Sequence, residues 1–463
     1  MVVIRNALLY LGPLLALTLY GALIALEFNS QIAITAAVGL LCVLWWIFEP
    51  IPIPVTSLLP LALFQLTGVL DKNQVAQAYG SPLILLLLGG FMLSKAMESS
   101  GAHRRMALAM VRLCGGGSSR QLLLGFMLAS AALSMWISNT ATTLMLLPVA
   151  IAVLEKSEDK QLALPLMLGV AYAASIGGIG TPIGTPPNLV FMQVYEQSTG
   201  EVITFSQWMG WGLPVVLCMI PLAAWWLGRS LHYKEGFHIE AVGQWSVAER
   251  RVLTIFALTA LAWITRQEPF GGWSHWLNMP EANDASVALL AVALMFIVPG
   301  ANNAQGEPQR LLDWPTACSI PWGVLLLFGG GICLAKAFSV SGLSGLLGDN
   351  LAGLAYWPVW LMVIAISLGV TFLTECTSNT ASTVLLMPVL AAAGLAAGID
   401  IKLLMVPAAM SASCAFMLPV ATAPNSIVYG SGYVTTRQMV REGVVLNIMG
   451  AVIISTVCYC LLI

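Results

Sequence analysis

Apolar runs of roughly 17–25 residues, the length a helix needs to cross a bilayer, recur from one end of this chain to the other. That pattern commits the chain to a polytopic helical membrane protein. Composition agrees: 59% of residues are hydrophobic and 9% charged, where a soluble domain has about a quarter charged. A formal net charge of -2 carries no message about nucleic acid or acidic partners. The run from Ala7 to Leu26 follows a single Arg5 and is too long for a signal-peptide core, so it reads as the first span. The nine cysteines lie mostly inside apolar runs (Cys42, Cys218, Cys333, Cys458, Cys460) and read as small buried hydrophobes. Among the four histidines, His232 and His238 share a polar loop with Glu235 and Glu240, but the spacing fits no metal motif. No metal enzyme is expected.

Further spans fall near 31–48, 52–70 and 81–100, then 161–193 and 208–228. A polar stretch at 229–251 divides the chain, and spans near 252–267, 285–299, 318–338, 403–430 and 443–463 follow. Two long apolar regions, 121–153 and 354–397, are speckled with polar residues. Lys and Arg cluster at Arg104, Arg105, Arg112 and Arg120, at Lys156 and Lys160, and from Arg229 to Arg251, whereas the loops 194–207, 268–284 and 339–353 have none. These clusters share one side only if each speckled region enters and leaves by the same face. Both regions therefore read as re-entrant hairpins, leaving about eleven full spans. The N-terminus falls inside and the C-terminus outside, with Gly116 and Gly348 on opposite faces. Lys72, Arg266 and Lys402 are lone exceptions on the outer side.

The chain also repeats. G89-G90-F91-M92-L93-S94-K95-A96, with Ser100-Gly101 after it, matches G330-G331-I332-C333-L334-A335-K336-A337 with Ser341-Gly342. S138-N139-T140 matches S378-N379-T380, and T185-P186-P187-N188 matches T422-A423-P424-N425. The offsets are about 241, 240 and 237 residues, in the same order. An odd number of spans between equivalents inverts the second copy, the plan of many secondary transporters.

Ser134 and Ser138 are four apart, as are Thr374 and Ser378, so each pair shares a helical face. S-N-T then adds hydroxyl and amide groups at an expected helix break. The runs G177-G178-I179-G180-T181-P182-I183-G184-T185-P186-P187-N188 and P419-V420-A421-T422-A423-P424-N425 should break two further spans. Unwound backbone at membrane depth is tolerated where it lines a cavity. A half-helix N-terminus attracts a carboxylate, while freed carbonyls and hydroxyls suit Na⁺. A lone S-N-T would more simply be helix glue; its duplication at the repeat offset favours a site.

On these motifs the chain resembles the divalent anion/sodium symporter family, in its sodium-coupled dicarboxylate branch. A412-S413-C414-A415-F416-M417-L418-P419-V420-A421-T422-A423-P424-N425-S426-I427 fits the family's signature segment, and the similarity spans the whole chain. The resemblance implies a homodimer with a static scaffold and a transport domain that slides as an elevator. It implies scaffold in 1–120 and, with a cytoplasmic linker helix, in 229–353, and transport parts in 121–228 and 354–463. It implies that Ser138, Asn139 and Thr140 meet one substrate carboxylate and Ser378, Asn379 and Thr380 the other, with Pro187 and Pro424 nearby. One sodium site would use Ser134, Ser138, Asn139 and Gly184, and a second Thr374, Thr377, Asn379 and Ala421. Ala423 departs from the repeat, standing where the first copy has Pro186.

Lys95 and Lys336 read as snorkelling residues. Glu375, a rare acid within a span, is a candidate for substrate or ion coupling, or for a structural hydrogen bond. Trp45-Trp46 and Trp225-Trp226 read as interfacial anchors. The expectation is a carrier in a bacterial inner membrane that imports C4-dicarboxylates such as succinate, malate or fumarate with Na⁺. A sodium-independent dicarboxylate exchanger and a sodium/sulfate symporter are the alternatives. An intramembrane enzyme using Glu375 lacks any nucleophile–base pair, and no ATP-binding motif suggests a pump.

Overall fold

The computed structural model describes residues 2–113, 117–157, 159–232, 243–267, 271–302, 308–346 and 357–463. Gly116, Gly348, Glu235, His238 and Glu240 lie outside them. The described residues are overwhelmingly helical, with one antiparallel ribbon of β1 (Pro299–Asn302) and β2 (Pro308–Arg310). Among the described residues, eight helices are long and apolar enough to cross a membrane. The shorter helices include three of the four hairpin arms and the first half of the second broken span.

Each speckled region folds as two helices joined by a tight turn. The first hairpin has arms Ser119–Ser134 and Asn139–Glu155; the second has arms Val359–Thr374 and Asn379–Ala397. A 16-residue arm rises about 24 Å, less than the roughly 30 Å of a bilayer core. Ser119 Oγ, at the start of the first hairpin, donates to Asp159 Oδ2, just past its end, over 2.5 Å. Both ends therefore lie at one level, and the hairpin is re-entrant.

Each hairpin leads into a broken span. The first comprises Ala163–Gly177, a 3-10 turn Gly178–Gly180, and Pro186–Thr199; the second comprises Lys402–Ala412 and Ala423–Gly430. Thr374 Oγ1 donates to Ala412 O (3.1 Å) and Thr371 Oγ1 to Ser411 O (3.5 Å), so the arm Val359–Thr374 and the helix Lys402–Ala412 end together. The second hairpin thus also starts and finishes on one face. Near the end of the first broken span, Tyr195 Oη donates to Glu201 Oε2 (2.7 Å), and the Lys402 ammonium stands 5.4 Å from the Tyr195 ring centre. The first broken span therefore runs from the base of one hairpin to the base of the other. The hairpins enter from opposite faces, as an inverted repeat requires.

The two copies are interlaced. Pro82–Ser100 packs on Asp284–Ile297 from the other repeat, and Trp322–Ser341 packs on Leu58–Leu66. The doubled glycines make this possible: a Cβ on Gly89 would sit 2.7 Å from Ala288 Cβ, and one on Gly330 would sit 2.3 Å from Ser57 O. Their neighbours look the other way. A Cβ on Gly90 would meet the Ile183 side chain at 3.6 Å, and one on Gly331 would meet Val384 Cγ1 at 2.5 Å. Both helices end at a glycine in the left-handed region, Gly101 at φ 76 and Gly342 at φ 84, which accounts for the repeated Ser-Gly.

Several sequence expectations change. The span read at 52–70 is two short helices, Ile53–Thr56 and Leu58–Leu66. Cys218 and Cys460 are exposed, unlike buried Cys42, Cys333 and Cys458. Trp46 is a core residue whose Nε1 donates to Ser57 Oγ (3.0 Å), and Trp226 stacks under the Arg229 guanidinium at 3.9 Å. Arg266 is no bare exception: its Nε donates to Asp284 Oδ1 over 2.6 Å, with both side chains buried.

Candidate functional site

A helix whose first turn is not covered by a preceding turn presents unpaired N–H groups and the positive end of its dipole. Four such ends meet in one cavity of about 1300 Å³. Ser138 and Ser378 cap the second hairpin arms, which begin at Asn139 and Asn379; Thr185 and Thr422 cap the resumed halves of the broken spans, which begin at Pro186 and Ala423. All eight of these residues line the cavity. The caps differ between copies. Ser138 Oγ accepts from Ala141 N over 3.2 Å, while Ser378 makes no side-chain capping bond. A cap of this kind is worth about 1 kcal/mol, so the Ser378 hydroxyl is left for another partner.

Thr140, Gly184, Thr377, Ala421 and Pro424 also line the cavity. Thr380 does not; it is buried, with its backbone N–H donating to Asn379 Oδ1 over 2.8 Å. Pro187 is buried, and Pro186 meets the cavity instead. Ser134 and Thr374 are fully buried beside the cavity residues rather than among them.

The oxygen-rich group expected in the first repeat is assembled. Ser134 Oγ donates to Asn139 Oδ1 over 2.5 Å. A Cβ built on Gly178 would lie 2.9 Å from that same Oδ1 and 3.2 Å from Gly184 O. Amide and carbonyl oxygens thus flank the space that a side chain at Gly178 would fill, with the Ser134 hydroxyl bonded to that amide, and hard cations prefer such donors. The second set is looser. Thr374 turns to Ala412 O rather than to Asn379, Thr377 Oγ1 lies 2.5 Å from Ser382 Oγ, and Ala415 stands where the first copy has Gly178.

The cavity reaches the face that carries the basic clusters. Arg5, Glu49, Lys95, Glu98 and Ser319 line its outer part. A second hollow of about 660 Å³ shares Lys95, Glu98, Ser138 and Thr140 with it and continues past His103 and Arg104 to Lys156 at the hairpin base. Lys95 does not simply snorkel: its ammonium pairs with Glu98 Oε2 at 2.7 Å in the cavity wall. Burial holds the His103 imidazole below the usual histidine range.

Sequence reasoning flagged Glu375 without seeing its partners. Only 3% exposed, its carboxylate accepts from Met417 N (2.8 Å), Leu418 N (2.9 Å) and Asn447 Nδ2 (2.7 Å). It thereby ties the second hairpin tip to the unwound stretch and to the last helix, Thr436–Leu462. Two glycines were missed altogether. A Cβ on Gly212 would fall 2.5 Å from Ile179 O, and one on Gly443 would fall 2.1 Å from Phe416 O. Each lets a long helix press against the break of its own repeat. Tyr172, in the helix that leads into the first break, reaches the second, its Oη donating to Phe416 O over 2.6 Å.

Comparison with known proteins agrees with this architecture. The model for the sodium:sulfate symporter transmembrane region matches residues 14–462. The sodium-dependent dicarboxylate transporter SdcS of Staphylococcus aureus is 39% identical, over 97% of this chain and 90% of its own length. That of Staphylococcus saprophyticus is 37% identical over the same shares. Among solved structures, the Alcanivorax borkumensis YdaH transporter superposes with a TM-score of 0.62 at 15% identity, covering 84% of this chain and 89% of its own. Neisseria gonorrhoeae MtrF superposes with a TM-score of 0.56 at 12% identity, covering 86% and 83%. These two share the fold. With the repeated motifs in place and the match running almost end to end, the chain belongs to the sodium:sulfate symporter family, the divalent anion/sodium symporters, whose members are transporters and not enzymes.

Proposed function

We propose that this protein carries C4-dicarboxylates such as succinate, malate or fumarate into the cell together with Na⁺. The observation that carries the reading is the convergence of four helix N-termini, in two repeat-related pairs, on one cavity. Two separate anion-attracting pairs suit a substrate with a carboxylate at each end. Few basic side chains share the wall. Lys95 is paired with Glu98, so cations arriving with the substrate would balance its charge. The names of the staphylococcal relatives support both the substrate class and the sodium dependence.

The interlaced packing supports an elevator. Hairpins and broken spans, within 121–228 and 354–463, form the moving part; 1–120 and 229–353 form a scaffold through which two copies pair. The basic face is the cytoplasmic side of a bacterial inner membrane, which puts the N-terminus inside and the C-terminus outside. The cavity is then open inward. Uptake of radiolabelled succinate into liposomes holding the purified protein should require an inward sodium gradient and collapse when choline replaces sodium. Full uptake without sodium, driven instead by internal dicarboxylate, would make the protein an exchanger.

A further inference from the structure

The two breaks share a side-chain clamp. Asn188 and Asn425 sit in the first turn of each resumed half-helix, and both are fully buried. Asn188 Nδ2 donates to Gly178 O (2.9 Å) and Thr181 O (2.8 Å); Asn425 Nδ2 donates to Ala415 O (2.9 Å) and Leu418 O (3.0 Å). In both copies the acceptors lie ten and seven residues before the asparagine. Both are carbonyl oxygens, so the amide can face them only with its NH₂ group. One side chain thus spans the whole unwound stretch and fixes two carbonyls that would otherwise swing free. The remaining atom, Oδ1, is buried in each copy without a partner among the described residues. An unmet buried acceptor costs about 1–3 kcal/mol, and both copies retain it.

Resting on the function proposed above, we infer that Asn188 and Asn425 are positioning residues for the two sodium half-sites. Gly178, whose carbonyl Asn188 holds, is the residue whose bare Cα leaves the hollow between Asn139 Oδ1 and Gly184 O. A Cβ on Gly184 would in turn lie 2.5 Å from Gly178 O, so the two glycine backbones fix one another's place. Releasing the clamp lets Gly178 shift and the oxygen set spread. Asn425 does the same for the stretch that leads to Ala421.

Asn188→Asp and Asn425→Asp test the assignment, since each keeps the shape but turns carboxylate oxygen toward two carbonyls. Reconstituted in liposomes, each variant should need about tenfold more sodium for half-maximal succinate uptake, the equivalent of losing one buried hydrogen bond. The succinate KM at saturating sodium should move far less. A second readout needs no transport: the rise in Tm of the detergent-purified protein with sodium alone should shift to higher sodium by the same factor. A lower maximal rate with parental sodium dependence would mean a purely structural clamp and would overturn the inference. If an Asp variant is too unstable to purify, Asn188→Ser keeps one buried donor and should show a smaller shift in the same direction. A folded Ser variant with parental sodium dependence would equally overturn it. Failure of the underlying function is separate: the parent protein would then show no sodium dependence before any variant is compared.

Discussion

At the scale of single residues, Asn139 and Asn379 carry the sharpest expectation. Each amide can donate to a carboxylate and offer its oxygen to a cation, so under the proposed function each would couple the two ligands. Asn139→Ala and Asn379→Ala should insert and dimerise normally yet lose transport. A buried hydrogen bond to a charged group is worth about 1.5–3 kcal/mol, so binding should weaken about ten- to more than a hundredfold. Apparent affinities for succinate and for sodium should both fall, because coupling in binding is reciprocal. Asn139→Asp should be worse than Asn139→Ala, since it sets a negative charge against the substrate. Parental binding of both ligands by Asn139→Ala would reduce the S-N-T repeats to helix glue. Glu375 supplies a stability test. Glu375→Leu strands three donors and should cost about 3–5 kcal/mol, visible as a lower Tm in detergent, while Glu375→Gln keeps an acceptor and should cost less. Equal losses from the two substitutions would deny the carboxylate its clamping role.

At the scale of elements, the repeat made much of the site legible. A helix period cannot run through Thr-Pro-Pro-Asn or Thr-Ala-Pro-Asn, so the breaks were visible. The nearly constant offset of the repeated motifs, about 240 residues, pairs the two tips. What escaped was whatever depends on distance across the fold. Nothing local marks Gly212 or Gly443 as pressing on a carbonyl thirty or so residues away. Glu375 stands out by its charge, but its donors come from segments about forty and seventy residues further on. Lipid-facing and core-facing cysteines look alike, because both sit among apolar neighbours; hence Cys218 and Cys460 were misplaced. The glycine contacts give a measurable consequence. Gly212→Ala and Gly443→Ala each force a methyl group to within 2.5 Å of a carbonyl oxygen or closer, and overpacking of this sort costs about 1–3 kcal/mol. Both should lower the Tm, whereas Gly210→Ala, with nothing within 4 Å, should destabilise far less. A tolerant Gly443 would mean that the last helix does not bear on the break.

At the scale of the whole molecule, the inverted repeat specifies a partner state. Gly331 now faces Val384 across the closed side. Their equivalents in the first copy, Gly90 and Leu144, stand apart: Gly90 lines the open cavity, and Leu144 is 54% exposed in the adjoining hollow. If the repeats exchange conformations, Gly90 and Leu144 should meet when the carrier faces outward. Paired cysteines from Gly331→Cys with Val384→Cys should cross-link readily in the inward-open form and stop transport. Gly90→Cys with Leu144→Cys should cross-link only when the outward form is populated, again stopping transport. Failure of the second pair under every condition, with the first pair forming, would argue against alternation by repeat exchange.

The depth of the open cavity has an electrical consequence. The cavity includes the hairpin tips; with the protein open inward as proposed above, the membrane potential would fall mainly across the closed half. An ion entering from the open side therefore crosses little of the field before it binds. By repeat symmetry the same holds from the other side after the carrier turns. Voltage should then act on the turning step itself, at about 2.3 kcal/mol per net charge per 100 mV. In liposomes clamped with a potassium diffusion potential, changing the voltage should alter the maximal uptake rate. The sodium concentration for half-maximal uptake should stay nearly constant. On that outcome the charge would be carried by the protein's own stroke and not by ions threading a narrow path.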